Sequence, residues 1–258
     1  MQGATHRAGG VTAMLVGYTY LRSKGFPLGD NAPIASFVAM YPFAIWGSTA
    51  SDLDHYPGSV WDEAKLIGER HGHTIPSQDI VSRTFSHLLH LTTPLRKSGM
   101  VNPRSRLGAI VSVLDCKHRS WQTHSELPLV LLWVALALVN TSASNTTLSS
   151  TLWVLILNGV ILGLIAHLCL DLLTPEGLPF ATGLFVNRVL LGRKVLPERI
   201  KIIPHRPPTK KGEPGFFSTG GTWEKKIVFN SLHAVNLVLF GYLLYSEFIA
   251  PYTSLEIR

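Results

Sequence analysis

The chain has 258 residues, of which 46% are hydrophobic and 15% charged, and its formal net charge is +7. Soluble domains average about 25% charged residues, so the composition argues against a soluble protein and for an integral membrane protein. In a membrane protein, an excess of Lys and Arg is typical of cytoplasmic loops and of contacts with anionic lipid. Nucleic-acid binding is not expected, because no basic stretch is interleaved with aromatic residues as a strand-binding groove requires.

Five apolar segments are predicted to form helices. They are residues 8–21, 33–50, 127–139, 152–173 and 227–250. The first two contain Gly, Tyr, Ser or Pro among their apolar residues, and the third is short, whereas the last two are long enough to cross a bilayer. The expected fold is all-α: a polytopic membrane helical bundle of about five apolar helices, in one domain over residues 1–258.

Loop charge predicts how these segments are oriented, because Lys and Arg near span ends are retained in the cytoplasm. Residues 60–126 hold nine of them and residues 183–226 hold ten, whereas residues 140–150 hold no charge. The two basic connections are therefore expected inside and the uncharged one outside. Arg22 and Lys24, in a connection predicted to lie outside, run against this orientation of the first hairpin.

Four clusters of His and Asp lie at or beside the ends of apolar segments, and the predicted topology brings all four to the cytoplasmic face. They are His6, the run 52–55 with Asp52, Asp54 and His55, the run 118–124 with His118 and His124, and His167 with Asp171. Imidazoles and carboxylates from distant parts of a chain are the ligands that a divalent metal such as zinc requires. The sequence therefore predicts a metal site at this face.

His167 and Asp171 are four residues apart, so on a helix they project from nearly the same face and can hold one ion. The alternative is a polar pair that only hydrogen-bonds neighbouring helices, but an Asp inside an apolar span indicates function by default. Asp52 and Asp54 point to one side of an extended stretch, which suits a metal, although acidic residues at a solvated helix end give the same pattern.

His118 and His124 are too far round a continuous helix to share a face, so both can be ligands only if the chain bends between them. Taken alone, this pair is more typical of surface histidines than of metal ligands, and His6 alone is weaker still. Residues 60–112 form a long insertion, which contains His71, His73, His87 and His90, and residues 178–226 form a second, basic and Pro-rich one. Both insertions are expected to be solvated loops, with an accessory metal site at HGH in 71–73 as the alternative.

The motifs TH at 5–6, SDLDH at 51–55, HRSWQTHS at 118–125 and HLCLDLLTPEG at 167–177 resemble, in this order, those of the inner-membrane metal-dependent hydrolase family, which is LexA-regulated or LexA-binding in bacteria. That family is considered a distant relative of zinc-dependent phospholipase C and of the P1-type nucleases. The resemblance covers about half of the chain. It supports six residues as metal ligands: His6, Asp52, His118, His124, His167 and Asp171.

These residues predict a site of two or three divalent ions, Zn2+ first among them, with Asp171 bridging ions through its two oxygens. Asp54 is expected either to hydrogen-bond to a metal ligand or to act as general base. Arg119 either stabilises charge on a substrate phosphate or serves only as a basic residue that orients the protein in the membrane. A divalent ion lowers the pKa of a water that it binds and polarises a phosphoryl oxygen, so hydrolysis is the expected reaction.

The predicted function is therefore a membrane-bound hydrolase of phosphoester bonds, with its active site on the cytoplasmic side of the inner membrane. Membrane phospholipid or a lipid-linked phosphate is the expected substrate, and the basic loops are expected to contact anionic lipid. No protein partner is indicated. Two alternatives remain: a regulatory or docking membrane protein with a structural metal, and a metal transporter, which would place ligands at mid-membrane on several spans.

Overall fold

A computed structural model of the protein describes residues 3–24, 33–50, 121–142, 148–174, 177–200, 202 and 223–249. In chain order the helices are α1 (Gly3–Ser23), α2 (Pro33–Ala50), α3 (Trp121–His124), α4 (Glu126–Ser142), α5 (Leu148–Leu172), α6 (Ala181–Phe185) and α7 (Phe229–Leu244). Three π-helical segments, Val186–Leu190, Trp223–Val228 and Tyr245–Ile249, extend α6 or flank α7. Strands β1 (Leu178–Pro179) and β2 (Arg199–Ile200) pair antiparallel, Leu178 opposite Ile200.

The prediction of a mostly helical protein is confirmed, since each of the five apolar segments forms a helix. Among the described residues, two stretches are long and apolar enough to cross a membrane, Thr151–Leu172 with a mean hydropathy of 2.3 and Lys226–Glu247 with 1.7. The apolar stretch in α4, Glu126–Thr141, is shorter. A bundle of five membrane spans therefore stays a prediction.

The described part of the second insertion has more regular structure than the solvated loop expected for residues 178–226. Besides β1, α6 and β2, it contains a turn that the side chain of Asn187 closes. The Oδ1 atom of Asn187 accepts hydrogen bonds from the backbone N–H groups of Val195 (2.8 Å) and Leu196 (2.9 Å), and its Nδ2 donates to the Leu196 carbonyl at 2.8 Å. One buried amide thus organises this segment. The first insertion, residues 60–112, lies outside the described residues.

Cross-helix contacts show which ends of the helices lie together. Gly10 of α1 faces Ser48 of α2, while the Tyr18 ring meets the edge of the Phe37 ring at 5.4 Å, so these two helices are antiparallel. α5 is also antiparallel to α1, because Gly9 faces Leu170 and Gly17 faces Leu162. The first turn of α1 and the last turns of α2 and α5 therefore lie at one end of the bundle, which we call the His end.

α7 runs in the same direction as α1. The Asn236 amide donates to the Ala8 carbonyl at 3.0 Å and accepts from the Thr12 hydroxyl at 2.6 Å, while Glu247, eleven positions later, forms an ion pair with Arg22. The start of α7 thus lies at the His end. The pairing with Glu247 also explains how Arg22 is accommodated at the opposite end, where loop charge alone did not favour a basic residue.

Small residues allow α2 and α5 to approach closely. Gly47 packs on the backbone of Val160, and Gly163 packs on the backbone of α2 at Ala44 and Ser48. Helices in membranes associate through such small residues, because lipid supplies no hydrophobic force to drive them together. Beside this contact a core of Met14, Leu15, Tyr18, Met40, Ala44, Leu155 and Leu243 is buried. The α2–α5 contact therefore holds the last turns of both helices in register at the His end.

We expect Gly163→Ala to destabilise the protein, although alanine is the better helix former. Its Cβ would meet the Ala44 carbonyl oxygen and would lie 2.6 Å from the Ser48 backbone nitrogen, and neither backbone atom can turn aside. Overpacking of this kind costs about 1–3 kcal/mol. The thermal unfolding midpoint of the detergent-purified protein should fall by several degrees.

The matched control is Gly241→Ala in α7, where an added Cβ meets no atom within 4 Å. The helix propensity gained is the same, about 1 kcal/mol, so this variant should unfold at or above the wild-type temperature. Equal midpoints for the two variants would contradict the close approach of α2 and α5.

Candidate metal centre

Four of the predicted ligands meet at the His end, and all four are buried. His6 lies in the first turns of α1, His124 is the last residue of α3, and His167 and Asp171 lie one turn apart near the end of α5. Their side chains are exposed by 0 or 1%. The i, i+4 spacing places His167 and Asp171 on one face of α5, as predicted, and the antiparallel packing of α1 brings His6 opposite them.

The three imidazoles converge on the carboxylate of Asp171. Nε2 of His6 lies 3.6 Å from Oδ1, while Nε2 of His124 and Nε2 of His167 lie 3.6 and 3.4 Å from Oδ2. The rings of His6 and His167 are stacked with centroids 3.8 Å apart, and the His124 ring meets the His167 ring edge-on at 5.1 Å. Residues separated by more than 160 positions thus present the same ring nitrogen to one carboxyl group.

These separations are longer than charge-assisted hydrogen bonds, which are about 2.7–2.9 Å. They match the spacing of ligands around one ion, because two atoms each about 2.1 Å from a tetrahedral ion lie about 3.4 Å apart. His6, His167 and Asp171 each offer a ligand atom, and all three atoms lie within 4.8 Å of one another. His124 approaches this group through the second oxygen of Asp171. The two oxygens of Asp171 therefore face different histidines.

The backbone of α2 fixes the orientation of His167. Its Nδ1 lies 2.7 Å from the carbonyl oxygen of Ser48, and because a carbonyl only accepts, Nδ1 carries the proton. In a neutral ring the lone pair is then on Nε2, the atom that faces Asp171. Two acceptors at 3.4 Å require a cation or a proton between them. Metal-ligating histidines donate their other N–H to a carbonyl or carboxylate in this way.

The short helix α3 presents His124 in a similar manner. The His124 Nδ1 atom lies 2.9 Å from the Thr123 hydroxyl oxygen, which leaves Nε2 directed at Asp171. The Ser125 hydroxyl donates to the Trp121 carbonyl and accepts from the Leu127 N–H at 3.1 Å, so it joins α3 to the start of α4. This break in the helix follows His124, whereas the bend predicted between His118 and His124 involves residues outside the described part of the chain.

Glu126, the first residue of α4, ties this break to the start of α6. Its two carboxylate oxygens accept the backbone N–H groups of Ala181 at 3.1 Å and Thr182 at 2.6 Å. Burial raises the pKa of the Glu126 carboxyl, but the hydrogen bonds from Thr182 and Ala181 outweigh this effect, so that the pKa is lowered. The ionised carboxylate holds α6 beside the segment that carries His124.

Helix α5 ends at the site. The Thr174 hydroxyl donates to the Asp171 carbonyl at 2.7 Å, and Gly177 turns the chain with a φ of 65°. A glycine is favoured there, because side chains disfavour this conformation.

The remaining predicted site residues, Asp52, Asp54, His118 and Arg119, lie outside the described residues, as do the histidines of HGH in 71–73. One buried acid was not singled out from the sequence. Glu224 is 1% exposed, and its neighbours Trp223 and Val228 pack against Leu170, next to Asp171. No local pattern marks it, because its burial depends on the docking of α7.

Residues 1–189 match the family model described as YdjM inner membrane protein. The chain belongs to this family. The match includes α1 to α6 and all six predicted ligands, and the prediction of an inner-membrane protein is confirmed. No curated protein and no solved structure is significantly similar to the chain. The predicted hydrolase activity is not addressed by the family description.

The lowered pKa of Glu126 predicts a pH-dependent contribution to stability. A carboxyl group with a lowered folded pKa stabilises the protein fully above its ordinary pKa, near 4.5, and this contribution is lost as the pH falls through the folded value. Glu126→Gln should therefore lower the free energy of unfolding at pH 7 by about 1 kcal/mol, after solvent screening of this partly exposed group, and with it the unfolding midpoint.

The comparison is made between wild type and Glu126→Gln in detergent at pH 7 and near pH 4. The difference between their midpoints should shrink at the lower pH, because the contribution of the charge declines as the pH falls below the ordinary pKa of the carboxyl towards its folded pKa. A difference that stays constant would show that the charge of Glu126 does not stabilise its contact with α6.

Proposed function

We propose that the protein is a membrane-bound, metal-dependent hydrolase that acts on phosphoester bonds of a phospholipid or a lipid-linked phosphate. One observation supports this most strongly: three imidazole Nε2 atoms surround the buried Asp171 carboxylate at 3.4–3.6 Å. A buried group of this kind is expensive in an apolar bundle, so it indicates a function rather than a packing role.

His6, His124, His167 and Asp171 would hold the metal, and Asp52 and His118 complete the proposed set. Nitrogen and carboxylate oxygen suit Zn2+, of which two or three ions are proposed. Such an ion, when bound, would act as a Lewis acid on a phosphoryl oxygen and make water a nucleophile near neutral pH. The Ser48 carbonyl holds the His167 ring in place. One carboxylate oxygen of Asp171 faces His6, and the other faces His124 and His167.

The position of the site supports a lipid substrate. The His end of the bundle is the end from which the two Lys- and Arg-rich connections leave the helices, and we propose that it faces the cytoplasm. Basic residues there would attract anionic headgroups. Arg119 is proposed to stabilise charge on the substrate phosphate, and Asp54 to act as general base.

A non-catalytic docking protein with a structural metal is the second candidate. It is favoured by the burial of all four described ligands, because structural sites are closed whereas catalytic sites keep a position open for substrate. The two candidates differ in whether the metal-loaded protein turns over a phosphoester.

The test is to purify the protein in detergent, measure bound metal by elemental analysis, and assay hydrolysis of bis(p-nitrophenyl) phosphate and of phospholipid. Wild type should contain zinc and hydrolyse a phosphoester. Asp171→Asn should lose metal and at least about 100-fold in rate, since even a residue that only supports a ligand costs 10- to 100-fold.

Cys169→Ala is the matched control, because Cys169 lies between His167 and Asp171 on α5 but is exposed. This variant should keep wild-type metal and rate. Metal that is bound by wild type and lost in Asp171→Asn, with no hydrolysis of either substrate, would favour the docking protein. Equal metal contents in wild type and Asp171→Asn would contradict both candidates.

A further inference from the structure

A groove runs along the bundle between α2 and α7, and its floor is formed by α1. Its volume is about 520 Å³, within the range of small-molecule sites. The floor consists of Val11 and Leu15, and the two walls are lined by Phe37, Val38 and Tyr41 of α2 and by His233, Asn236, Leu237 and Phe240 of α7. Val38 and Leu237 are 62% and 75% exposed, so the rim of the groove is open to the surroundings of the bundle.

The lining of the groove changes from polar to apolar along its length. On α7, which begins at the His end, His233 and Asn236 precede Leu237 and Phe240. On α2, which ends at the His end, Tyr41 is the residue of the groove nearest to that end. The polar residues of an otherwise apolar groove therefore lie towards the His/Asp cluster.

Contacts between α7 and α1 show where the polar residues of the groove lie relative to the candidate metal centre. Asn236 binds the carbonyl of Ala8, two residues beyond His6, so the polar part of the groove lies close to the level of the cluster. His233 lies one turn nearer the His end, and its Nδ1 atom is 3.0 Å from the Phe229 carbonyl oxygen. An ionisable residue within an apolar membrane stretch indicates a functional site.

We propose that this groove binds one acyl chain of a membrane phospholipid, with the headgroup towards His233 and the His end. The chemistry of the groove matches such a ligand, since an apolar chain fits the part lined by Phe37, Val38 and Phe240. Lipid is also the occupant that surrounds the groove, because α7 belongs to one of the two stretches able to span the membrane and the family is one of inner membrane proteins.

The role of this groove in catalysis rests on the proposed function, because a bound acyl chain positions a substrate only if the protein hydrolyses phospholipid. The groove assigns the substrate to the class of lipids that keep an acyl chain in the bilayer. A chain in the groove places the attached phosphoester at the level of the cluster without removing the lipid from the membrane.

The binding test does not depend on activity. The full-length protein is reconstituted into vesicles of phosphatidylcholine and phosphatidylglycerol that include a phosphatidylglycerol with a diazirine in one acyl chain. After illumination, crosslinked peptides are identified by mass spectrometry. We expect peptides containing Val38 and Leu237 to be enriched over the α4 peptide, whose Trp133 and Leu138 are exposed to a similar degree.

Val38→Trp fills the groove, and Leu138→Trp is its matched control, because both positions are 62% exposed on apolar helices. Val38→Trp should abolish the enrichment at Leu237, and Leu138→Trp should leave it unchanged. In assays, Val38→Trp should lower the ratio of phospholipid to bis(p-nitrophenyl) phosphate hydrolysis about tenfold, a size typical of a lost apolar pocket contact.

The possible results distinguish lipid binding in the groove from hydrolysis at the proposed metal centre. Enrichment that Val38→Trp removes supports the groove even if no phosphoester is hydrolysed, in which case only the proposed function fails. Crosslinks spread equally over the groove and α4 would show ordinary surrounding lipid and overturn the inference, even if both substrates are hydrolysed. If Val38→Trp instead dissociates a dimer seen in detergent, the groove is an interface between two copies of the chain, which also overturns it.

Discussion

The Asp171 carboxylate is the constraint around which the described structure is organised. It is 1% exposed near the end of an apolar helix, and three imidazoles from α1, α3 and α5 face its two oxygens. A buried carboxylate without compensation is costly in such surroundings, and neutral imidazoles that present lone pairs to it would add repulsion. In the proposed metal centre, a cation among these atoms would remove both penalties. The helices can then meet at this end only in an arrangement that preserves the cluster.

The packing of the bundle and the geometry of the site depend on the same contact. Gly163 lets α5 approach the backbone of α2, and one turn further along α5 His167 donates to the carbonyl of Ser48 on that same stretch. A displacement of α2 would therefore remove the partner that sets the His167 tautomer. In the proposed enzyme the small residues of this interface would support catalysis as well as stability, because the backbone of α2 orients His167, a proposed ligand.

Much of this arrangement could be predicted from residue patterns. Apolar runs predicted all five long helices, and the i, i+4 spacing predicted the shared face of His167 and Asp171, which the structure places beside His6 and His124. The start of α1 extended beyond the predicted residue 8 to Gly3, because the buried residues of its first turns, Thr5 and His6, are polar and give no apolar signal. Ser48 and Glu126 could not be predicted either. The first acts through a backbone oxygen, which any residue supplies, and the second acts through a contact 55 positions away.

The groove and the cluster together suggest why a hydrolytic site would be built at the end of a membrane bundle. A soluble enzyme must extract a lipid from the bilayer and bear the cost of exposing its acyl chains, about 0.8 kcal/mol for each methylene group. A groove open along α2 and α7 leaves the chain among apolar neighbours, so binding energy need only position the phosphoester. In the proposed complex the acyl chain would lie against Leu237 and Phe240, and the headgroup would lie near His233 and Asn236. In the proposed enzyme, selectivity would follow from where the phosphate lies relative to the acyl chain, and the metal centre would need to recognise little beyond the phosphate.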